Sequence, residues 1–475
     1  MSSFTGIVTA IKSGADPSKT IYTVVGDRIA NIRSGIMLEL LDTVEVQNMP
    51  PQGNALADVK VLEKASAPKY KACLSKKLRE LGFASSLQKR CKMYNREELD
   101  SVTRNMAKGL AKAAVDFARA FLTGAPVVIR FHNDCDGSSG ALALYENMLD
   151  LQKRAGYGAE NVFWRMNPSI AYAKASLQND ELAFNGFRSA EKPVVFITDF
   201  GTTPESDDAI SAAGGKYNLI WLDHHPVHEG FPKEKIGHYI NPWDFGGNSD
   251  YTAGFLTSTF SELLGTMNVN VIKEASLIGD YSAYANRGDK EAHKLSIVLD
   301  FLTSGDKGRK PTGDSADLTP KYISNIVDNK DEYESLYGHA AMLLDEALDI
   351  GLEKIRHYNA NGISVHLLDF KHISREKTSW PLPGRYSSRL QERLEALDNG
   401  KTITIVHYGN FISVRISRDI TDQVEILKKM AELKERTEHI HAFGGHKSAA
   451  GIRSDKDHVE DTVNLLLKSL GVTTR

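Results

Sequence analysis

Three apolar runs, each ending in acids or histidines, constrain this chain more than any other feature. Pro126–Phe131 (PVVIRF) leads into HNDCDG, Pro193–Thr198 (PVVFIT) into Asp199, and Tyr217–Leu222 (YNLIWL) into DHHP. The first is followed by the helical run SSGALALYENMLDLQKR, and the second by another helical stretch. Apolar strands alternating with helices indicate a parallel sheet covered on both faces, so the expected fold class is α/β. Ligands of open parallel sheets collect beyond the carboxyl ends of the strands. His132, Asp134 and Asp136, then Asp199, then Asp223, His224 and His225 are therefore expected to converge along one edge. Asp280, after the helical run Val271–Gly279 in LIGDYSAYA, would close the group.

Taken singly, each of these residues has an ordinary reading. Asp199 would cap a helix, His132 would be a satisfied loop histidine, and Asp280 would be a surface or capping residue. Their recurrence at successive strand ends argues for a site. Oxygen ligands mixed with imidazole suit Mn2+, or Mg2+, better than a thiolate-preferring metal. Five or six ligands exceed the three that a catalytic zinc takes from protein. Two divalent ions roughly 3.5–4 Å apart fit better, with activated water as the nucleophile and the ions offsetting charge on phosphorus oxygens.

The 475 residues suggest two to four domains. Short β-rich runs at Thr5–Ile11, Thr20–Val25, Ile29–Ile32, Ile36–Val46 and Ala57–Leu62 predict a small β domain over 1–65. Five strands in that length suit a barrel of the OB type, which often takes single strands. A basic helical linker region is expected over 66–124, the metal-bearing α/β domain over 125–331, and a connecting helix over 332–360. A smaller C-terminal α/β substrate-binding domain is expected over 361–475. Between Lys60 and Arg96, eleven lysines and arginines face two glutamates, a net charge of +9 in a chain whose total is −3. Tyr70, Leu74, Leu78 and Leu81 recur there at helical spacing, so the charge reads either as a solvated helix face or as a phosphate-backbone contact. Lys76, Lys77, Lys89 and Arg90 are its candidate nucleic-acid contacts. No run of eighteen apolar residues occurs, which argues against a membrane span. The N-terminus does not read as a signal peptide, and three cysteines without a CxxC pair fit a reducing cytoplasm.

HNDCDG, the Asp of ITDFG, DHH and the Asp of IGDYS resemble, in order, the four motifs of the DHH phosphoesterase superfamily. FGGHKSAAG, residues 443–451, resembles the GGGH-type motif of that superfamily's smaller C-terminal domain. The resemblance spans about 125–470. It implies metal ligation by Asp134, Asp136, Asp199, His224 and Asp280, with His132 at a position where branches differ. It implies that Asp223 supports the histidines and that His225 contacts the scissile phosphate. In the C-terminal domain it implies that Gly444 and Gly445 admit a nucleotide, that His446 holds a phosphate, and that Arg418 binds substrate. Phe443 departs from the family's first glycine. Relatives with this C-terminal motif include RecJ-like single-strand exonucleases, nanoRNases that also remove phosphate from phosphoadenosine phosphate, and cyclic-dinucleotide phosphodiesterases. The extra N-terminal residues and the basic segment favour the RecJ-like reading, with single-stranded DNA or RNA as substrate and replication or repair proteins as partners. A replication-complex scaffold is the non-enzymatic alternative.

Overall fold

The computed structural model describes residues 3–47, 56–83, 101–304, 319–373, 380–398 and 400–472; Lys89 and Arg90 lie outside them. The chain divides into two compact units, 1–277 with 317–325, and 278–316 with 326–475.

The first unit begins with five antiparallel strands: β1 (Phe4–Lys12), β2 (Ile21–Gly26), β3 (Ile29–Ile32), β4 (Asp42–Gln47) and β5 (Asp58–Lys64). Their order is β3-β2-β1-β4-β5, and a parallel bridge between Ser34 and Ala57 draws the two outer ends together. Val8, Val24, Ile32, Val44 and Val46 fill the interior. The sequence predicts one strand over 36–46, but only 42–47 is extended, because Leu41 turns the chain with φ 69°. The helix Ala67–Glu80 follows, capped by Ser66 and buried through Tyr70, Leu74 and Leu78. This fits the amphipathic spacing.

A five-stranded parallel sheet forms the rest of the unit: β6 (Val127–His132), β7 (Val162–Asn167), β9 (Val194–Thr198), β10 (Asn218–Leu222) and β11 (His238–Ile240), in the order β11-β10-β9-β6-β7. Between them, β8 (Phe187–Ser189) leaves the parallel sheet and pairs with β1, joining the barrel to the sheet. A hydrogen bond from Thr9 Oγ1 to the Thr123 carbonyl, 2.8 Å, adds to that joint. Phe117, Phe196 and Phe260 interlock on one face of the sheet. Tyr172, Phe200 and Trp221 fill the other. Strand order reverses between β6 and β9, one leading outward to β7 and the other to β10 and β11. That reversal opens a crevice at the strands' carboxyl ends, where His132 and Asp199 stand.

The second unit carries β12 (Arg356–Ala360), β13 (Ile363–Asp369), β14 (Thr402–Tyr408), β15 (Phe411–Ile416), β16 (Ile440–His446) and β17 (Ala449–Ser454), in the order β12-β13-β14-β15-β17-β16. Only β13 and β14 run parallel. Helices Lys290–Thr303, Lys330–Lys354, Pro383–Leu397, Ile426–Arg436 and Val459–Ser469 also belong to this unit. The connecting helix, expected over 332–360, stops at Lys354, and 356–360 instead pair residue by residue with β13.

Candidate metal centre

β6 ends at His132, and the chain turns at once into the helix Cys135–Ala155, whose N-cap is Asp134. The turn is so tight that a Cβ on Gly137 would lie 2.5 Å from the His132 carbonyl oxygen, so glycine is required there. Asp134 Oδ1 accepts the Gly137 N–H at 3.0 Å, and its Oδ2 faces His132 Nδ1 at 2.7 Å. One turn into the helix, Asp136 is buried. Its Oδ2 accepts the Ala253 N–H at 2.9 Å, and its Oδ1 accepts the Gly254 N–H at 2.8 Å and the Ser276 hydroxyl. Asp136 thereby satisfies orphan donors at the start of the helix Ala253–Leu264.

Asp199, directly after β9, stands between the two sides. Its Oδ2 lies 3.7 Å from His132 Nδ1, and its Oδ1 lies 3.4 Å from His224 Nε2, which is itself 3.7 Å from Asp136 Oδ2. Donors around one ion at about 2.1 Å are separated by roughly 3.0–3.4 Å in octahedral or tetrahedral geometry. Asp199 therefore belongs to two clusters whose donor atoms lie within 4.8 Å of one another, one with His132 and Asp134 and one with Asp223, His224 and His225, and His224 links the second to Asp136. His224 Nδ1 is 2.7 Å from the Ser249 carbonyl and donates to it, which leaves the Nε2 lone pair facing the carboxylates.

The electrostatics call for a cation. Burial, together with the charges of Asp134 and Asp136, pushes the Asp199 pKa up to about 8. Burial pulls His132 down, but Asp134 and Asp199 outweigh it and raise the imidazole well above its ordinary value. Asp199 Oδ2 and Asp223 Oδ2 are buried without a hydrogen-bond partner among the described residues. Orphaned acceptors of this kind are costly, and a donor set of carboxylates and imidazoles fits divalent ions. Asp223 Oδ1 accepts from the His224 and His225 N–H groups and from His225 Nδ1 at 2.8 Å. His225 is thus oriented by Asp223, which overcomes burial and raises its pKa, while the imidazole remains 45% exposed.

In the second unit, Asp280 directly follows the helix Asn270–Gly279. The next residue, Tyr281, has φ 57°. Arg418 was expected to bind substrate. Its guanidinium instead donates to the carbonyls of Tyr281 (3.0 Å), Ala283 (3.2 Å) and Ser282, and lies over the Tyr281 ring. Arg418 therefore clamps the segment after Asp280. Sequence reasoning passed over Arg415, three residues earlier. Its pKa is lowered by burial and sustained by the nearby charge of Asp280. Gly445, at φ 121°, is required by the β16–β17 hairpin, where a Cβ would lie 2.3 Å from the Ala449 carbonyl oxygen. Gly444 faces open space, with nothing within 4 Å of where a Cβ would stand. Phe443 packs against the sheet's core. The side chain of His446 lies outside the described set.

Of the basic candidates, Lys77 is 8% exposed, and its ammonium donates to the Asp27 carbonyl at 2.7 Å and pairs with Glu80. It holds the helix to the barrel and is not free for a phosphate. Lys76 is exposed.

No family model matches the chain. It is 24% identical over 408 residues to an uncharacterized protein, MJ1198, of Methanocaldococcus jannaschii, covering 74% of this chain and 52% of that one. This chain therefore spans about half the length of that relative. A solved DHH domain, described as a member of the s1p family of ribosomal proteins, superposes with a TM-score of 0.66 at 16% identity, covering 85% of this chain and all of the other. RecJ from Thermus thermophilus in complex with Mn2+ aligns with a TM-score of 0.47 at 15% identity, over 84% of this chain and 61% of the other.

Proposed function

We propose, from a chain that carries the DHH-domain fold, that this protein is a divalent-metal phosphodiesterase that shortens single-stranded DNA or RNA from an end. The observation that carries the reading is Asp199. One carboxylate is shared between two groups of donors, His132 with Asp134 on one side and His224, itself beside Asp136, on the other, with neighbouring donors 2.7–3.7 Å apart. Such ions, Mn2+ or Mg2+, would lower the pKa of water and neutralise charge on the phosphoryl oxygens. The remaining work belongs to this chain's own groups. Asp223 holds His225 in one orientation and favours its protonated form, so the exposed imidazole can clamp a phosphoryl oxygen or give a proton to the leaving oxygen. The open face of Gly444 would let a nucleotide approach the backbone. The barrel that precedes the catalytic sheet supports a polymeric substrate, since such barrels track single strands.

The test is product analysis with Mn2+ on end-labelled single-stranded DNA, its RNA counterpart and a dinucleotide, with Asp199→Asn as the control. Stepwise shortening of the polymers that vanishes in Asp199→Asn and after chelation supports the reading. Turnover of the dinucleotide alone would move the protein to the nanoRNase-like alternative. No turnover of any substrate by metal-loaded protein would favour the scaffold.

A further inference from the structure

A second group of metal-type side chains lies in the other unit, and the proposed function does not use it. The sequence reads His439-Ile-His441 entering β16 and Asp455-Lys-Asp-His458 leaving β17. His439 directly precedes β16 and His441 stands at the irregularity between Ile440 and Ala442, yet both imidazoles reach the same carboxylate. The backbone joins the two motifs directly. The Asp455 N–H donates to the His439 carbonyl at 2.9 Å, and the His458 N–H donates to the Asp455 carbonyl at 3.1 Å. Asp455 then sits between two imidazoles, with Oδ2 3.2 Å from His439 Nδ1 and Oδ1 2.7 Å from His441 Nε2. The ring of His458 stacks on that of His439 at 3.6 Å between centroids. Donor atoms of His439, Asp455 and His458 all lie within 4.8 Å of one another. His458 Nδ1 is buried and has no hydrogen-bond partner among the described residues.

We infer that His439, His441, Asp455 and His458 form a structural zinc-type site that clasps the open end of the β16–β17 hairpin. Three imidazoles and one carboxylate match the nitrogen and oxygen donors that Zn2+ takes in four-coordinate sites. A tetrahedral ion with bonds near ~2.05 Å needs donors roughly 3.3 Å apart. Rotation of the His439 and His458 side chains, which would unstack the rings and aim the orphaned Nδ1 at the ion, would close the observed spacing to that value. The fold supplies a reason for such a clasp. β16 is the outermost strand of its sheet, with a ladder of hydrogen bonds on one side alone. It also carries Phe443, Gly444 and Gly445, so an ion tying His439 and His441 to Asp455 and His458 fixes the strand that presents them.

The test uses full-length protein stripped of metal, dialysed against Zn2+ and analysed for bound equivalents, with Co2+ as a spectroscopic substitute. Asp199→Asn, which disables the first centre, is expected to retain one equivalent and the visible absorption of four-coordinate Co2+. His441→Ala/His458→Ala is expected to hold one equivalent fewer than the parent and to lose that absorption, with its far-ultraviolet circular dichroism retained as proof of folding. Asp455→Asn, the milder change, should weaken Zn2+ binding and reduce the rise in melting temperature that Zn2+ gives Asp199→Asn. No bound equivalent in Asp199→Asn, or equal stoichiometry and spectra in the parent and the double variant, overturns the site.

Discussion

Gly254 offers a sharp test of how the metal centre is built. A Cβ at this position would lie 2.5 Å from the Asp136 carbonyl oxygen, 2.7 Å from Ser276 Oγ and 2.8 Å from Asp136 Oδ1. Ordinary contact begins at 3.4 Å, so Gly254→Ala forces a displacement of roughly 0.6–0.9 Å on the carboxylate and its partners. The Gly254 N–H is one of the donors that holds Asp136 Oδ1, so the new methyl pushes against the hydrogen bond that positions the ligand. Overpacking of this kind costs about 1–3 kcal/mol, too little to unfold a chain of this size. Misplacement of a reacting group by an ångström costs on the order of 100-fold in rate. Gly254→Ala is therefore expected to lower the melting temperature by a few degrees while reducing Mn2+ affinity and hydrolysis by on the order of 100-fold. The assays are a thermal melt, Mn2+ titration followed by electron paramagnetic resonance, and hydrolysis at saturating metal. Gly338→Ala is the matched control. It lies in the helix Lys330–Lys354 with nothing within 4 Å of its Cβ, so it should gain about 0.5–1 kcal/mol with unchanged activity. A Gly254→Ala protein with parental Mn2+ affinity and rate would refute the assignment of Asp136 as a metal ligand held by that helix start.

Three further outcomes follow from the structure. Asp199 has its folded pKa raised, so as a lone carboxylate it destabilises the metal-free protein increasingly as pH rises from about 4 toward about 8. Asp199→Asn should therefore raise the melting temperature of stripped protein at pH 8 and flatten its pH slope while abolishing Mn2+ binding; a lower melting temperature would contradict the crowding account. Arg130, two residues before His132, is buried against Asp180, its Nε donating to both carboxylate oxygens at 2.9 and 3.0 Å and its terminal nitrogen lying 2.7 Å from Oδ1, and Tyr172 also donates to that carboxylate. Asp180→Ala should cost about 3–5 kcal/mol in denaturant melts, and Arg130→Met/Asp180→Leu should recover most of it. Lys76→Glu should weaken single-strand binding and reduce its salt slope by about 0.7, whereas Lys77→Ala should lower stability with little change in that slope.

The parallel sheet was legible where its strands are buried on both faces. β9 and β10 read as apolar runs, and β6 as one interrupted only by Arg130, because helices cover both sides. β7, VFWRMN, escaped notice because it is an edge strand of intermediate burial with Arg165 in its middle. β8 and β11 are only three residues long, below the length at which any period can be seen. Charge identified the helix Ala67–Glu80 as basic but could not tell which lysine faces inward; the partner of Lys77 is a carbonyl fifty residues earlier. The same holds for Arg415 and Arg418. The carbonyls that occupy Arg418 lie about 135 residues upstream, and Arg415 donates to the Ser388 hydroxyl, 27 residues upstream, so nothing local distinguishes the two roles. The residue types of the site were visible from the sequence, but the groups that orient them were not. The Ser249 carbonyl that fixes the His224 tautomer and the backbone N–H groups of Ala253 and Gly254 that seat Asp136 have no side-chain signature at all.

The backbone at Asp199 shows why the motif is an aspartate rather than any acid at any strand end. Its φ of 68° lies in the left-handed region, which costs a residue with a Cβ on the order of 1–2 kcal/mol and is tolerated best by Asn and Asp. Glycine would relieve the strain but could not ligate. Glutamate, with one more methylene, would carry its oxygens past the crevice. The conformation is held from outside the residue: the Asp199 N–H reaches the Leu222 carbonyl at 3.2 Å, and the Gly201 N–H reaches the Ile170 carbonyl at 2.9 Å. Strain so anchored turns the short carboxylate across the strand-order reversal, where one oxygen meets the β6 side and the other meets His224 beyond β10. A straight continuation of β9 would have pointed both oxygens along the strand and left the two donor groups unlinked. The local rule that is broken at Asp199 therefore marks the point at which the two candidate donor clusters meet.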